Sequence, residues 1–218
     1  MVTPDPRQFI RDHLPVGAVP GIPEIRLHQA VPSSGLRRTL RINASPYWAY
    51  RWGGGLALAR FVLDHPAIVA GKRVLDLGAG SGLVGIAAAK AGALSVTAAE
   101  IDPHAVAALE LNLALNEVEA AILRHDLTAG PPPAVELILV GDLFYEATLA
   151  ARSTRFLDRC AEDGIAALIG DPWRAHLPVD RLAECARYEV AESGSPALLL
   201  AGVFSFVPRR DRSRKRHA

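Results

Sequence analysis

The stretch VLDLGAGSG at residues 74–82 is the strongest indication of the fold in this chain. An apolar run leads directly into three glycines at alternate positions, and an apolar segment of helical character follows. Glycines at such a turn let the backbone bend sharply and approach a ligand closely, while the next helix offers free N–H groups at its positive end. The pattern predicts a strand, a glycine loop and a helix that bind a nucleotide-type ligand at the carboxyl edge of a parallel sheet.

From residue 72 onward, short apolar runs alternate with helical patterns, which is typical of βαβ units. We predict helices at 56–64, 83–91, 103–116, 147–161 and 179–186. We predict strands at 73–77, 95–100, 120–124, 135–140, 165–169, 188–191 and 197–204. No helical pattern separates the last two strands, so they form a hairpin around 193–196 and the last strand is antiparallel to its neighbours. The expected fold is α/β, a three-layer Rossmann-like doubly wound sheet of seven strands that is otherwise mostly parallel.

Length and composition divide the chain into three parts. A length of 218 residues fits one α/β domain, and 50% hydrophobic with 22% charged residues indicates a packed core. We expect an N-terminal extension at 1–45, with a strand around 24–30, that packs on a main domain at 46–208. The stretch 209–218 holds six Lys or Arg and one Asp, so we expect a basic, flexible tail.

Several protein classes are disfavoured by the composition. No apolar run reaches the roughly 18–20 residues that cross a bilayer, and the N-terminus lacks the pattern of a secretory signal. Cys160 and Cys185 lack metal-ligand spacing, and we expect two reduced, buried thiols and no metal site. The expectation is a cytoplasmic protein, monomeric, without a membrane partner.

The glycine loop alone leaves two ligand classes open, because residues 80–85 also satisfy GxGxxG, the dinucleotide fingerprint. S-adenosylmethionine is favoured because Asp76 directly precedes the glycines and about 70 residues lie ahead of the motif. Asp126 follows the third strand, where its carboxylate can accept from an adenine amino group. Glu100 ends the second strand, 22 residues after Gly78, where a carboxylate takes both ribose hydroxyls. The alternatives are a surface charge for Glu100 and a turn cap for Asp126.

VLDLGAGSG at 74–82 and AAEIDP at 98–103 resemble the first two motifs of the seven-strand, class I methyltransferases. The resemblance covers residues 72–207 and implies S-adenosylmethionine as the cofactor. On this basis we assign cofactor contacts to Gly78, Ala79, Gly80, Glu100, Asp126, Leu127 and Gly141.

Further segments resemble the family 16 lysine methyltransferases. PYWAYRWGGG at 46–55 looks like that family's aromatic entry motif, and with 56–61 it is most similar to the electron-transfer-flavoprotein β-subunit lysine methyltransferases. GDLFY at 141–145 fits the family's Asp-x-x-Tyr motif, and GDPWR at 170–174 resembles its Gly-Asp-Pro segment. The aromatic residues also have a simpler interpretation, in which they only cover the edge of the sheet.

This narrower resemblance implies a protein-lysine N-methyltransferase whose partner is the electron transfer flavoprotein β subunit. It places Trp52 against the cofactor and makes Asp142 and Tyr145 the catalytic candidates. The Asp142 carboxylate and the aromatic face of Phe144 or Tyr145 are expected to hold the lysine amine. No histidine is clearly placed as a base, so the amine proton is expected to leave to water. The chain departs from the pattern of the family that it resembles at Gly53, where Pro is expected, and at Trp173, where Gly is expected.

Other functions share these features. A ribosomal-protein or small-molecule N-methyltransferase would have the same glycine loop, and a non-catalytic nucleotide-binding interaction module would have the same fold. A nucleic-acid methyltransferase is disfavoured because DLFY at 142–145 stands where such enzymes often have Asn/Asp-Pro-Pro-Tyr/Phe. With the tail's charge of +5 set apart from the net charge of +1, residues 1–208 carry about −4, which also disfavours nucleic acid as a partner.

Overall fold

The computed structural model describes residues 5–31, 34, 36 and 46–208. The predicted tail and most of 32–45 therefore lie outside the described residues. The helices are α1 Pro6–His13, α2 Gly53–Asp64, α3 Leu83–Lys90, α4 Pro103–Leu115 and α5 Ala147–Glu162. The strands are β1 Val16–Val19, β2 Ile22–His28, β3 Arg73–Leu77, β4 Ser95–Ala99, β5 Ala121–Leu123, β6 Leu137–Gly141, β7 Ala166–Asp171, β8 Leu182–Val190 and β9 Leu199–Phe206. Within the described ranges, no helix is long and apolar enough to cross a membrane.

Seven strands form one sheet in the order β5-β4-β3-β6-β7-β9-β8. Five strands, β5, β4, β3, β6 and β7, run parallel to one another. The strand β9 is antiparallel to both β7 and β8. The predicted seven-strand, mostly parallel sheet with an antiparallel last strand is confirmed. Because β4, β3 and β6 are parallel, their carboxyl ends lie at one edge of the sheet, and the strand order reverses between β3 and β6.

Helices cover both faces of the sheet, because its central strands are apolar on both sides. Along β3, Val74 packs in a cluster with α2 and α3, whereas Leu75 and Leu77 pack in a second cluster with α5. The same alternation separates Leu139 from Val140 on β6. These two buried layers on either side of one sheet are the three-layer arrangement that the sequence predicted.

The N-terminal segment packs against α4 through a small hairpin of β1 and β2. The backbone N–H groups of Arg26 and His28 donate to the side-chain oxygens of Asn116 and Asn112, at 3.0 and 2.9 Å. Both asparagines are buried, so these bonds satisfy polar groups that would otherwise be costly to bury. The predicted strand around 24–30 corresponds to β2, shifted by two residues.

The helix predicted at 179–186 is wrong. A short 3-10 turn covers Val179–Arg181, and β8 then pairs with β9 along its whole length. The residues of β8 include Ala, Glu and Arg, which favour helices in isolation, but the pairing with β9 overrides that preference. Because β8 lies at the sheet edge, Cys185 is exposed, and the expectation that both thiols are buried holds only for Cys160.

Candidate active site

A cavity of about 610 Å³ opens at the carboxyl edge of the sheet. Its lining includes the residues predicted to bind the cofactor and the two catalytic candidates, which are Trp52, Gly78, Ala79, Gly80, Glu100, Asp126, Leu127, Gly141, Asp142 and Tyr145. We divide the cavity into two halves according to the strands that border it. The glycine-loop half comprises the loop at 78–82, Glu100 and Asp126, and the β6–β7 half comprises Asp142, Tyr145, Arg174 and Trp52.

The glycine loop adopts a backbone that only glycine accepts easily. Gly78, Gly80 and Gly82 all have left-handed backbones, with φ of 72°, 54° and 87°. A Cβ on Gly78 would lie 2.6 Å from Leu143 Cδ2, and one on Gly82 would lie 2.5 Å from Leu109 Cδ1. The glycines therefore serve both the turn and the close packing of the loop against its neighbours.

Glu100 fixes the loop through backbone N–H groups. Its Oε2 accepts from the N–H of Gly80 at 2.8 Å, while Oε1 accepts from Ile101 at 2.7 Å and Asp102 at 2.9 Å. A carboxylate offers about four lone-pair sites, so three donors leave room for a further one from the cavity. These three bonds give the partly buried Glu100 a role in holding the loop and the turn after β4, which a simple surface charge would not have.

Asp126 performs the role of a turn cap. Its Oδ1 accepts from the backbone N–H of Thr128 at 2.9 Å and from the Thr128 hydroxyl at 2.6 Å, and its Oδ2 pairs with Arg152 at 3.1 Å. Although partial burial acts in the opposite direction, the Thr128 hydrogen bonds and the Arg152 charge lower the pKa of Asp126. The adenine contact stays a prediction, and Asp126 lines the cavity where such a contact would be made.

Asp76 is a buried acid beneath the loop. Its Oδ2 accepts from the N–H of Gly85 at 2.8 Å, which ties β3 to the first turn of α3. Desolvation raises the pKa of Asp76 to about 7. A Cβ on Gly85 would lie 3.0 Å from the same Oδ2, so this position also requires a small residue.

The β6–β7 half is built around the start of α2. The N–H of Gly53 donates to Glu192 Oε1 at 3.2 Å, that of Gly54 to Asp142 Oδ1 at 3.1 Å, and that of Gly55 to Asp142 Oδ2. Two carboxylates from distant parts of the chain thus cap the positive end of the helix. A Cβ on Gly54 would lie 2.1 Å from the carbonyl oxygen of Gly170, which explains why glycine stands there.

Asp142 and Trp173 follow β6 and β7 with left-handed backbones, φ 58° and 59°. Asp tolerates this conformation, whereas it is strained for a bulky residue such as Trp. Burial raises the pKa of Asp142, against the opposing effect of its cationic and N–H partners.

Arg174 is the site residue to which sequence reasoning assigned no role. Its guanidinium pairs with Asp142, lies 3.5 Å from Asp171 Oδ2, and lies 5.9 Å from the centre of the Trp52 ring. The sequence did contain an indication of this role, because Arg174 follows the carboxyl end of β7 as Asp142 follows that of β6. Strand ends of a parallel sheet converge on one edge, and that rule could have brought both residues together.

The aromatic segment divides between the core and the cavity. Trp48 is buried with the N-terminal segment, whereas the Tyr47 ring lies 5.4 Å from the Tyr145 ring at the cavity. Trp52 lines the cavity and donates from Nε1 to the Tyr47 carbonyl at 2.8 Å. Phe144 is fully buried among residues of the α5 layer, so the expectation that its ring could hold the amine is wrong and Tyr145 alone keeps that role.

Known proteins resemble this chain over nearly its whole length. The electron transfer flavoprotein beta subunit lysine methyltransferase of Xenopus laevis is 40% identical over 215 residues, which cover 93% of this chain and 87% of the relative. Its human counterpart is 34% identical over 218 residues, with 94% and 83% covered. The chain belongs to this methyltransferase family. It is therefore an enzyme that uses S-adenosylmethionine as methyl donor, and the choice of this cofactor over a dinucleotide is confirmed.

Two further comparisons concern the fold and the glycine-loop half of this methyltransferase. Residues 58–139 match the family model "Ribosomal protein L11 methyltransferase (PrmA)". A putative RNA methyltransferase from Pyrococcus horikoshii superposes with a TM-score of 0.56 at 16% identity, covering 78% of this chain and 90% of that one. The ribosomal protein L11 methylase of Lactobacillus delbrueckii has a TM-score of 0.50 at 23% identity, with 70% and 77% covered. These likenesses show the shared fold alone.

The chemistry of the cavity fits S-adenosylmethionine. Its volume lies within the roughly 300–1,000 Å³ of ligand pockets. Glu100 keeps acceptor capacity for hydroxyl donors, and Asp76, Asp126 and Asp142 also line a space that would hold a cationic sulfonium. Glu100 would take the ribose hydroxyls, Asp126 and Leu127 would face the adenine, and the loop at 78–80 and Gly141 would pack against the remainder.

Proposed function

We propose that the chain methylates a lysine of the electron transfer flavoprotein β subunit, as a cytoplasmic monomer. The printed names of the relatives support this substrate. The observation that carries the proposal is the extent of the similarity. The relatives match the chain through both halves of the cavity, whereas the ribosomal protein L11 family match ends at residue 139, before Gly141 and Asp142.

The residues of the β6–β7 half are suited to a lysine amine. Gly54 and Arg174 both donate to Asp142 Oδ1, and Gly55 donates to Oδ2. One lone-pair direction therefore remains on Oδ2, and we assign it to an N–H of the amine. The half-exposed Tyr145 ring borders the same cavity, and its face can contact the lysine amine when the amine carries a positive charge.

Sheet geometry supports binding of the two reactants next to each other. Glu100 follows β4 and Asp142 follows β6, with β3 between them. Neighbouring strands lie about 4.8 Å apart, so these carboxylates stand on strands separated by roughly 10 Å. Residues of the glycine loop and of the β6–β7 half thus hold the donor and the amine in one orientation, which contributes much of the rate in a bimolecular transfer.

S-adenosylmethionine supplies a methyl group bonded to a cationic sulfur. The amine first loses a proton to water, because its lone pair must be free to form the N–C bond. The bound cofactor would supply its methyl group to this lone pair, the electron pair of the C–S bond would stay on sulfur, and the positive charge would move to the methylated nitrogen. Burial raises the pKa of the Tyr145 phenol, which keeps it protonated and excludes it as the base at neutral pH.

The substrate is tested by incubating the enzyme and labelled S-adenosylmethionine with a cell extract, and separately with purified electron transfer flavoprotein and purified ribosomal protein L11. We expect methyllysine on the flavoprotein β subunit, located by mass spectrometry. Label on L11, on nucleic acid or on a metabolite, with none on the β subunit, would overturn the proposal.

The roles of Asp142 and Tyr145 are tested by variants in the same assay, with cofactor binding measured in parallel. Tyr145→Ala should reduce methyl transfer about 3- to 30-fold, which corresponds to cation–π stabilisation of roughly 0.5–2 kcal/mol, while Tyr145→Phe keeps the ring and most of the activity. Asp142→Ala should lose nearly all transfer. Full activity of Asp142→Ala, or equal losses in the two Tyr145 variants, would contradict these assignments.

A further inference from the structure

The guanidinium of Arg174 is surrounded by groups from four separate parts of the fold. Asp142 after β6 pairs with it directly, and Asp171 at the end of β7 lies 3.5 Å away. Glu192, two residues beyond β8, lies 3.9 Å from its other terminal nitrogen, and the Trp52 ring faces it. Arg174 also lines the cavity, so its charge acts on whatever the cavity holds.

Arg174 is held in place from its backbone as well as from its side chain. Its N–H donates to Asp171 Oδ1 at 2.7 Å, and the Asp171 side chain is fully buried. In the part of the chain that the structure describes, Asp171 Oδ2 has no hydrogen-bond partner, and the charged guanidinium of Arg174 lies 3.5 Å from it. A buried carboxylate without Arg174 would be costly, so the guanidinium is anchored beside Asp142.

The other cations of the cavity wall are directed elsewhere. Arg152 pairs with Asp126 in the glycine-loop half, and Arg51 donates to the side-chain oxygen of Gln29. His125 lies on the wall beside Asp126. Among the described residues, Arg174 is thus the cation that pairs with Asp142.

We propose that Arg174 keeps the acceptor lysine amine neutral, because it cancels the charge of Asp142 and places a second cation beside the incoming ammonium. A carboxylate alone favours the protonated amine, which cannot attack a methyl group, whereas a neighbouring cation favours the neutral form. Asp142 can then orient the amine without holding its proton, and the proton leaves to water. The inference rests on the proposed lysine substrate and explains how the site works without a side-chain base.

The test is the pH dependence of single-turnover methylation in Arg174→Met, Arg174→Lys and a control, Arg73→Met. Arg73 is an exposed cation at the amino end of β3 that pairs with Glu136, away from the cavity, so its removal should leave the wild-type profile. For Arg174→Met, the acid limb should move up by about one pH unit, so methylation falls roughly tenfold at pH values well below the limb and returns to the wild-type rate above it. Arg174→Lys keeps the charge and should stay near the wild-type profile.

Several results would overturn the inference. A loss in Arg174→Met that is the same at every pH, with cofactor affinity unchanged, would show that Arg174 only supports the structure. An acid limb in Arg174→Lys that moves as far as that of Arg174→Met would exclude a role for the charge. If a different protein is labelled in the extract, the flavoprotein proposal fails and the same profiles on that protein decide the role of Arg174. Label confined to nucleic acid bases, whose amino groups are not protonated at neutral pH, would overturn both proposals.

Discussion

The two halves of the cavity are held together in different ways. In the glycine-loop half, Glu100 accepts from N–H groups at most 20 residues away, and Asp126 accepts from its near neighbour Thr128. In the β6–β7 half, Asp142 binds Gly54 and Arg174, which lie 88 and 32 residues away. The first half is largely a property of local loops, whereas the second exists only when α2, β6 and β7 are packed together.

This difference predicts that small substitutions at the start of α2 have large effects on the free energy of unfolding. Gly54→Ala should lower the free energy of unfolding by about 3 kcal/mol or more, because its Cβ would meet the Gly170 carbonyl oxygen at 2.1 Å. Gly55→Ala is the matched control on the same turn, where the Cβ would lie 3.5 Å from Asp142 Oδ2. It should stay within about 1 kcal/mol of the wild type. Urea unfolding measures both, and equal effects would refute the close packing of α2 against β7.

In the glycine-loop half, the largest single loss should come from Glu100. Glu100→Ala removes the acceptor of three N–H groups and of the proposed ribose hydroxyls, and should weaken S-adenosylmethionine binding by about 2 kcal/mol, roughly 30-fold in Kd. Calorimetry with Glu119→Ala, an exposed acid outside the cavity, controls for the lost charge. Unchanged affinity in Glu100→Ala would contradict the ribose assignment.

A smaller effect should appear in the pH dependence of stability. Because burial raises the pKa of Asp76 to about 7, the folded protein keeps this proton between about pH 4 and 7 while the unfolded chain releases it. Rising pH therefore destabilises the fold, by up to about 1.4 kcal/mol per pH unit in that window. Relative to Asp76→Asn, which cannot titrate, the wild type should lose about 1 kcal/mol between pH 5 and 6 in urea titrations. Parallel curves for the two proteins would show that Asp76 is ionised in the folded state.

Particular residues show where sequence reasoning succeeded and failed. Hydrophobic runs and glycine positions predicted the strands around β3 and β4, because those patterns report burial on both faces directly. The helix predicted at 179–186 became the edge strand β8, whose pairing with β9 no local pattern announced. Phe144 was expected near the amine, yet its side chain turns into the α5 layer.

The sequence alone was enough to establish the sheet, the glycine loop, the acids at the strand ends and hence the methyl donor. These depend on periodicity and on backbone conformations that only certain residues accept, and both can be recognised from neighbours along the chain. Only the folded structure brought Arg174 to Asp142, Glu192 to Gly53 and the α2 start to β7. Such contacts join residues distant in sequence, and their partners are chosen by the packing of whole elements rather than by any local pattern.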